Sequence, residues 1–133
     1  SCSTYIIPIE SFKQQFSGID STKFRKVTVR GPIGEVYNYE ANPIRLISCI
    51  SKNGQPNQLE NKPSIEVRIT YGQNNQRITF YFDRIFVSDS SVVGVESRFV
   101  SAIRKTILLR DVTKIEIQDG KKNFHYITQW QKV

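Results

Sequence analysis

The chain has 133 residues, of which 38% are hydrophobic and 23% are charged, and this length and composition predict one domain with its own core. No run of about 18 apolar residues is present, which excludes a membrane-spanning helix. The net charge of +7 is compatible with an anionic partner, but the 19 basic residues are interleaved with 12 acidic ones. We therefore interpret the charge as a solvated basic surface.

One short helix is predicted near the N-terminus, over Glu10–Ser17. Ile9, Phe12 and Phe16 recur at helical spacing, so they would lie on the face that packs against the core. Gly18 follows directly and suits the left-handed conformation that commonly ends a helix.

Apolar and polar residues alternate over most of the remaining chain, which predicts short strands with one buried and one wet face. The predicted strands are Phe24–Arg30, Ile44–Ile50, Ile65–Tyr71, Arg77–Phe82, Arg84–Ser88, Val92–Glu96, Thr106–Leu109, Thr113–Gln118 and Asn123–Thr128. Turn-forming residues at Gly72–Asn75 and Asp119–Gly120 predict hairpins between the strands on either side. The polar stretch Ser51–Pro63 is predicted as a long loop, and Ser97–Lys105 as either a helix or an irregular strand.

The predicted fold is mainly β (α+β at most), a single antiparallel small barrel or curled sheet of about eight to ten short strands with a short N-terminal helix. Antiparallel order follows because the connections are too short for parallel crossovers. PH-like and SH3-like or Sm-like barrels are alternatives, since Ile107–Ile115 is also typical of them. Within the single domain 1–133, residues 1–4 are predicted as a flexible tether and residues 129–133 as a C-terminal tail.

No catalytic, metal-binding or cofactor-binding set is predicted, so we expect a domain that is not an enzyme. His125 is the only histidine, and alternation places it on the opposite, solvent-facing side of a strand from Phe124 and Tyr126. The two cysteines lack metal-ligand spacing, and no phosphate-binding glycine motif or nucleophile elbow occurs. Asp83 interrupts an apolar run, and we interpret it as part of a local ion pair or turn cap.

An alternative function is a basic small-barrel module that binds nucleic acid, because such barrels combine basic grooves with aromatic platforms. Lys121 and Lys122 lie beside Phe124 at a predicted hairpin tip. The candidate stacking residues are Tyr37, Tyr39, Tyr81 and Tyr126. The competing interpretation is that phenylalanines fill the core while tyrosines lie at its margin with their hydroxyl groups in water.

Cys2 is the most informative single residue. It follows the small residue Ser1 and precedes a short polar stretch, the arrangement found where bacterial lipoproteins are cleaved and acylated. The chain contains no methionine, so we expect that a leader has been removed. We predict lipid attachment at Cys2. The alternatives are a free thiol at a frayed terminus or a disulfide to Cys49, which itself is predicted to be a buried core thiol.

Residues 40–128 resemble small uncharacterised lipoproteins of Bacteroides-like bacteria. The resemblance is carried by Ile65–Thr70, Phe80–Asp83, Gly94 with Ser97–Phe99, and Ile115–Lys122. It implies an envelope location and a lipid anchor at Cys2, and it provides no catalytic residues. Surface-exported members tend to carry acidic residues just after the lipidated cysteine, and residues 3–7 have none.

The resulting hypothesis is a non-enzymatic cell-envelope lipoprotein domain that binds or scaffolds a partner. The expected contacts are a membrane, through the N-terminal lipid anchor, and an envelope protein or glycan of unknown identity. Nucleic acid is the less favoured partner. The periplasmic face is favoured over the cell surface because of the missing acidic residues.

Overall fold

Twelve short strands and one α-helix form in residues 3–96 and 104–127, the part of the chain that this computed structural model describes. In chain order they are β1 (Thr4–Ile6), α1 (Ile9–Phe16), β2 (Arg25–Arg30), β3 (Val36–Ala41), β4 (Leu46–Ile50), β5 (Pro56–Glu60), β6 (Ile65–Tyr71), β7 (Gln76–Tyr81), β8 (Phe86–Val87), β9 (Ser91–Gly94), β10 (Lys105–Leu108), β11 (Val112–Asp119) and β12 (His125–Tyr126). Short 3₁₀ helices span Ser21–Lys23, Phe82–Arg84 and Leu109–Asp111. None of the helices in the described part is long and apolar enough to span a membrane.

The strands form three antiparallel sheets. The main sheet has the order β5-β4-β1-β11-β6-β7, and two three-stranded sheets have the orders β10-β9-β8 and β12-β2-β3. The mainly β, antiparallel, curled-sheet prediction is therefore confirmed, together with the short N-terminal helix. The described residues form no closed barrel, so the barrel versions of the prediction, including the PH-like and SH3-like or Sm-like alternatives, are wrong.

Two separate hydrophobic clusters hold the sheets together. The larger lies between the main sheet and α1, where Phe12 and Phe16 are buried with ring centroids 5.2 Å apart. Phe16 also contacts Phe82, with centroids 5.7 Å apart. The smaller cluster lies on one face of the β12-β2-β3 sheet and consists of Val27, Val29, Ala41 and Phe124. The β12-β2-β3 sheet, called the second sheet below, thus has a core of its own.

Several elements agree closely with the sequence-based prediction. The helix begins and ends one residue earlier than predicted, and Gly18 has the expected positive φ of 78°. The strand Ile65–Tyr71 has the predicted bounds, and its hairpin with β7 turns through Gly72 and Asn75, both with positive φ. These elements share strong local signals, namely strict periodicity and turn residues that tolerate left-handed backbone.

The long loop predicted over Ser51–Pro63 is wrong, because this segment contains β5. Ser51 and Gln55 close a turn, and Pro56 then pairs with Ile50 at the edge of the main sheet. Only one apolar residue of β5, Leu59, packs against the core, so an alternating pattern is barely visible in the sequence. An edge strand also tolerates a proline, which otherwise argues against a strand.

The hairpin predicted at Asp119–Gly120 is also wrong. β12 pairs with β2, not with β11, and positive φ occurs at Lys121 rather than at Gly120. The Gly120 N–H donates to the Ser64 carbonyl at 3.0 Å, so the chain stays with the main sheet before it crosses to the second one.

The flexible tether predicted for residues 1–4 is wrong at Thr4. Thr4 is the first residue of β1, pairs with Gln118 and donates a side-chain hydrogen bond to Gln118 Oε1 at 3.3 Å. The tail predicted over 129–133 and most of Ser97–Lys105 lie outside the described residues. Lys105 itself begins β10.

Gln15 on α1 completes the edge of β4. Its Nε2 donates to the Ser48 carbonyl at 3.0 Å, and its Oε1 accepts from the Ser48 N–H at 2.9 Å. β1 pairs with β4 only at Ile6, and in that register Pro8 would oppose Ser48. Proline has no N–H to donate, so the side-chain amide of Gln15 takes the place of a strand.

We expect Gln15→Ala to lower the free energy of unfolding by about 1–2 kcal/mol, because both backbone groups of Ser48 lose their partner. Urea unfolding monitored by circular dichroism measures this difference. The matched control is Gln14→Ala, since Gln14 is exposed on the same helix. Equal stabilities of the two variants would contradict the edge-completing role.

Candidate functional site

Asp83 is a fully buried carboxylate where the main sheet meets the second sheet. It lies in the 3₁₀ helix Phe82–Arg84 that follows β7, and its exposed fraction is 0%. Its Oδ2 accepts hydrogen bonds from the hydroxyl groups of Tyr39 on β3 and Tyr126 on β12, the latter at 2.9 Å. Two strands that are distant in the chain therefore converge on one acceptor.

Two buried asparagines secure the same junction. Asn42, just after β3, donates from Nδ2 to the carbonyls of Phe82 at 2.7 Å and Ile85 at 3.3 Å. Its Oδ1 accepts from Asn61 Nδ2 at 3.0 Å and from the Ile44 N–H at 3.3 Å. Both asparagines are at most 1% exposed. Buried amides are costly unless they are hydrogen-bonded, so this network fixes the 3₁₀ helix relative to β3.

A cleft of about 320 Å³ lies beside this junction. Arg84 lines it, with the guanidinium carbon 4.7 Å from the ring centroid of Tyr39. Phe24 and Phe86 form an aromatic pair in its wall, with centroids 5.8 Å apart and planes tilted by 59°. Arg104, at the start of β10, adds a second positive charge. The lining is therefore aromatic and cationic together.

Gly94 on β9 also lines this cleft, and its lack of a side chain is required by the packing behind it. A Cβ at this position would lie 2.6 Å from the ring of Phe80, which is buried in the main core. Glycine at this position therefore lets β9 pack directly against the Phe80 ring, which brings the cleft close to the main core.

A larger hollow of about 570 Å³ lies between the end of α1 and the β8–β9 turn. It includes the exposed charged residues Lys13, Asp20 and Asp89. Hydrogen bonds from Thr22 lower the pKa of Asp20, which indicates a local turn cap. We favour the smaller cleft as the candidate site, because it combines an aromatic pair with two guanidinium groups.

The residues considered for catalysis do not come together. His125 is exposed, with Nε2 2.7 Å from Asn123 Oδ1, whereas Phe124 is buried on the other side of the strand. This confirms the predicted orientation of His125. Within residues 3–96 and 104–127, no group of three histidine, cysteine or acidic residues could hold a metal ion.

Cys49 is a free thiol in the main core, as predicted. It is 4% exposed, its Sγ donates to the Asn57 carbonyl at 3.6 Å, and burial raises its pKa. A thiol in such surroundings is a poor nucleophile. Cys2, the predicted lipid-attachment residue, lies outside the described residues.

The tyrosines are more deeply involved in packing than predicted. The interpretation that their hydroxyl groups lie in water is wrong for Tyr39 and Tyr126, because both donate to Asp83. Tyr37 packs against Phe124, with ring centroids 6.4 Å apart, and burial together with the neighbouring Glu35 raises the pKa of Tyr37.

Sequence reasoning missed the asparagines of the junction, the cleft and the tyrosine partners of Asp83. One signal was present, since an acidic residue inside an apolar run is typical of a buried polar group with dedicated partners. No protein-family model, curated protein or solved structure matches the chain significantly. Any assignment of function therefore rests on the residues and geometry described above.

Proposed function

We propose that this chain is a non-enzymatic, lipid-anchored domain of the cell envelope that binds or scaffolds a protein or glycan partner. The observation that supports the anchor is the sequence around Cys2, which follows the small residue Ser1 and precedes a short polar stretch. Because Thr4 is already part of the main sheet, only Ser3 separates Cys2 from it.

An acyl group on Cys2 would therefore hold one particular end of the sheet at the membrane. β1 runs antiparallel to β11, so the segment that follows β11 lies at the same end as Cys2. That segment carries Lys121 and Lys122, and Lys62 Nζ is 3.8 Å from Asp119 Oδ2. Lysines near an anionic membrane surface add an attraction to that of the lipid chains.

Ion pairs limit the contribution of these lysines, so the acyl group provides most of the anchoring. Lys122 Nζ donates to Glu66 Oε2 at 3.0 Å. Burial raises the pKa of Asp119, but hydrogen bonds from Ser64 and from the backbone N–H of Lys121, together with nearby lysine charges, hold it below its usual value. Asp119 therefore stays ionised at neutral pH and keeps its ion pair with lysine.

A lipid anchor also makes weak binding effective, because it raises the local concentration of the domain at the membrane. Several acyl chains, as bacterial lipoproteins carry, give stable attachment, whereas one chain is marginal. The absence of acidic residues over positions 3–7 supports the periplasmic face.

The nucleic-acid module is our second hypothesis, and its aromatic requirement is weakly met. Tyr37, Tyr39 and Tyr126 pack against the second core, which reduces the rings that could stack on bases. Lys122 lies over the Tyr81 ring, 5.7 Å from its centroid. Binding to single-stranded DNA that falls steeply with salt would support this alternative.

The anchor is tested with the protein expressed from its own gene in its native host. We expect the protein in the membrane fraction, with mass spectrometry showing acylated Cys2, and we expect Cys2→Ser to release it into the soluble fraction. Cys49→Ala is the matched control, because it removes the other cysteine and should leave membrane attachment unchanged. An unmodified Cys2 in the native protein would refute the proposal.

A further inference from the structure

We propose that the cleft between β3, the Phe82–Arg84 helix and β8–β9 binds a small ligand that carries an oxyanion, a carboxylate or a phosphate, on a flat apolar body. The inference goes beyond the proposed function, because a small ligand differs from the protein or glycan partner named there. It does not depend on the lipid anchor. The cleft volume of about 320 Å³ lies in the range of small-molecule sites.

The anionic half of the ligand is recognised by arginine. Arg84 and Arg104 both line the cleft, with Glu40 as the acidic residue of the lining. A guanidinium has five donors in a planar fork, so it can bind an oxyanion through two parallel hydrogen bonds while keeping other contacts. Arginine is also weakly hydrated compared with lysine, which favours pairing in a partly enclosed site.

The flat half of the ligand is recognised by aromatic rings. Phe24 and Phe86 are each half-buried, so part of each ring faces the cleft. Val93 is half-buried in the same lining and adds an aliphatic surface. A planar ring can stack on one of these rings and meet the edge of the other, since their planes are tilted by 59°, and this buries apolar area without requiring a hydrogen bond.

Hydrogen bonds on the side of the cleft that faces the core hold Tyr39 and the 3₁₀ helix in place before a ligand binds. Asp83 is the acceptor for the Tyr39 hydroxyl, which holds the ring in place, and Arg84 lies across that ring. Asn42 in turn fixes the backbone of the 3₁₀ helix that carries Arg84. A guanidinium held in this way loses little conformational entropy when it binds an anion.

The test uses the full chain with Cys2→Ser, so that neither acylation nor a disulfide affects the result. The probes are 2-naphthoate, 2-naphthyl phosphate and the neutral 2-naphthylmethanol, titrated into ¹⁵N-labelled protein by NMR. We expect saturable shifts at the amides of Phe24, Tyr39 and Phe86. At least one anionic probe should bind about ten-fold or more tightly than the neutral one, as expected for charge-assisted hydrogen bonds. Comparison of the two anions identifies the oxyanion.

Arg84→Gln should weaken this preference for the anion while leaving the neutral probe unaffected, because Arg104 remains as the second cation of the lining. The matched control is Arg77→Gln, because Arg77 is an exposed arginine on β7. Absence of saturation up to about 10 mM, equal affinity for all three probes, or shifts confined to another surface would overturn the inference. If no probe binds but Cys2 is acylated in the native protein, the ligand proposal is refuted and the anchor stands. If the anionic probe binds but Cys2 is unmodified, only the anchor is refuted.

Discussion

Asp83→Ala is expected to lower the free energy of unfolding by about 4 kcal/mol, the largest effect of any polar substitution in this domain. The hydroxyl groups of Tyr39 and Tyr126 both donate to Asp83, and the substitution removes their shared acceptor inside the protein. A donor that loses its acceptor in a buried place costs about 1–3 kcal/mol, and both of these hydrogen bonds are partly buried. The loss should separate the second sheet from the main one, because Asp83 is where they converge.

Urea unfolding of the purified Cys2→Ser protein measures this loss, and Asp89→Ala, in an exposed turn, is the control. A double-mutant cycle with Tyr126→Phe isolates the hydrogen bond. We expect the two changes together to cost about 1–2 kcal/mol less than the sum of their separate effects. Strict additivity would show that the contact between Tyr126 and Asp83 contributes nothing to stability.

Asn42→Ala is expected to cost about 3 kcal/mol, because four hydrogen bonds, three of them buried, depend on one side chain. The carbonyls of Phe82 and Ile85 lose a donor, while Asn61 and the Ile44 N–H lose an acceptor. The position cannot reach water easily, since Asn42 is 0% exposed. The same urea unfolding measures the change.

The control for Asn42 is Asn74→Ala in the exposed β6–β7 turn, where a change within about 0.5 kcal/mol is expected. The variant also tests the coupling between junction and cleft. Because Asn42 positions the helix that carries Arg84, Asn42→Ala should weaken binding of the anionic probe even under conditions in which the protein remains folded. A destabilised variant with unchanged anion preference would separate the two roles.

Local sequence patterns predicted the elements whose signals are local. The strand Ile65–Tyr71 alternates without interruption, and α1 carries apolar residues at helical spacing, so both were found with correct or nearly correct bounds. The same alternation placed His125 outside and Cys49 inside. These predictions need only the periods of strands and helices and the cost of burying polar groups.

Predictions failed where the outcome depends on the partner that a segment pairs with rather than on the segment's own pattern. β5 has little apolar content, and it is a strand because β4 offers a free edge. β12 leaves β11 because Gly120 still bonds to Ser64 and because Phe124 belongs to the second core. Neighbouring strands usually form a hairpin, but here β12 packs with the second sheet and pairs with β2 instead of β11.

By itself, the sequence determined a mainly β chain with one short helix, the buried and exposed faces of most strands, and the chemical types available to a site. Only the tertiary structure decided which strands pair, that the described strands form no closed barrel, and that Asp83, Tyr39 and Tyr126 meet beside a cleft lined by arginines. The physical reason is the distance along the sequence over which each interaction acts. Alternation is set by each residue and its neighbours, whereas the pairing of β1 with β11 and the hydrogen bonds to Asp83 join segments 40 or more residues apart.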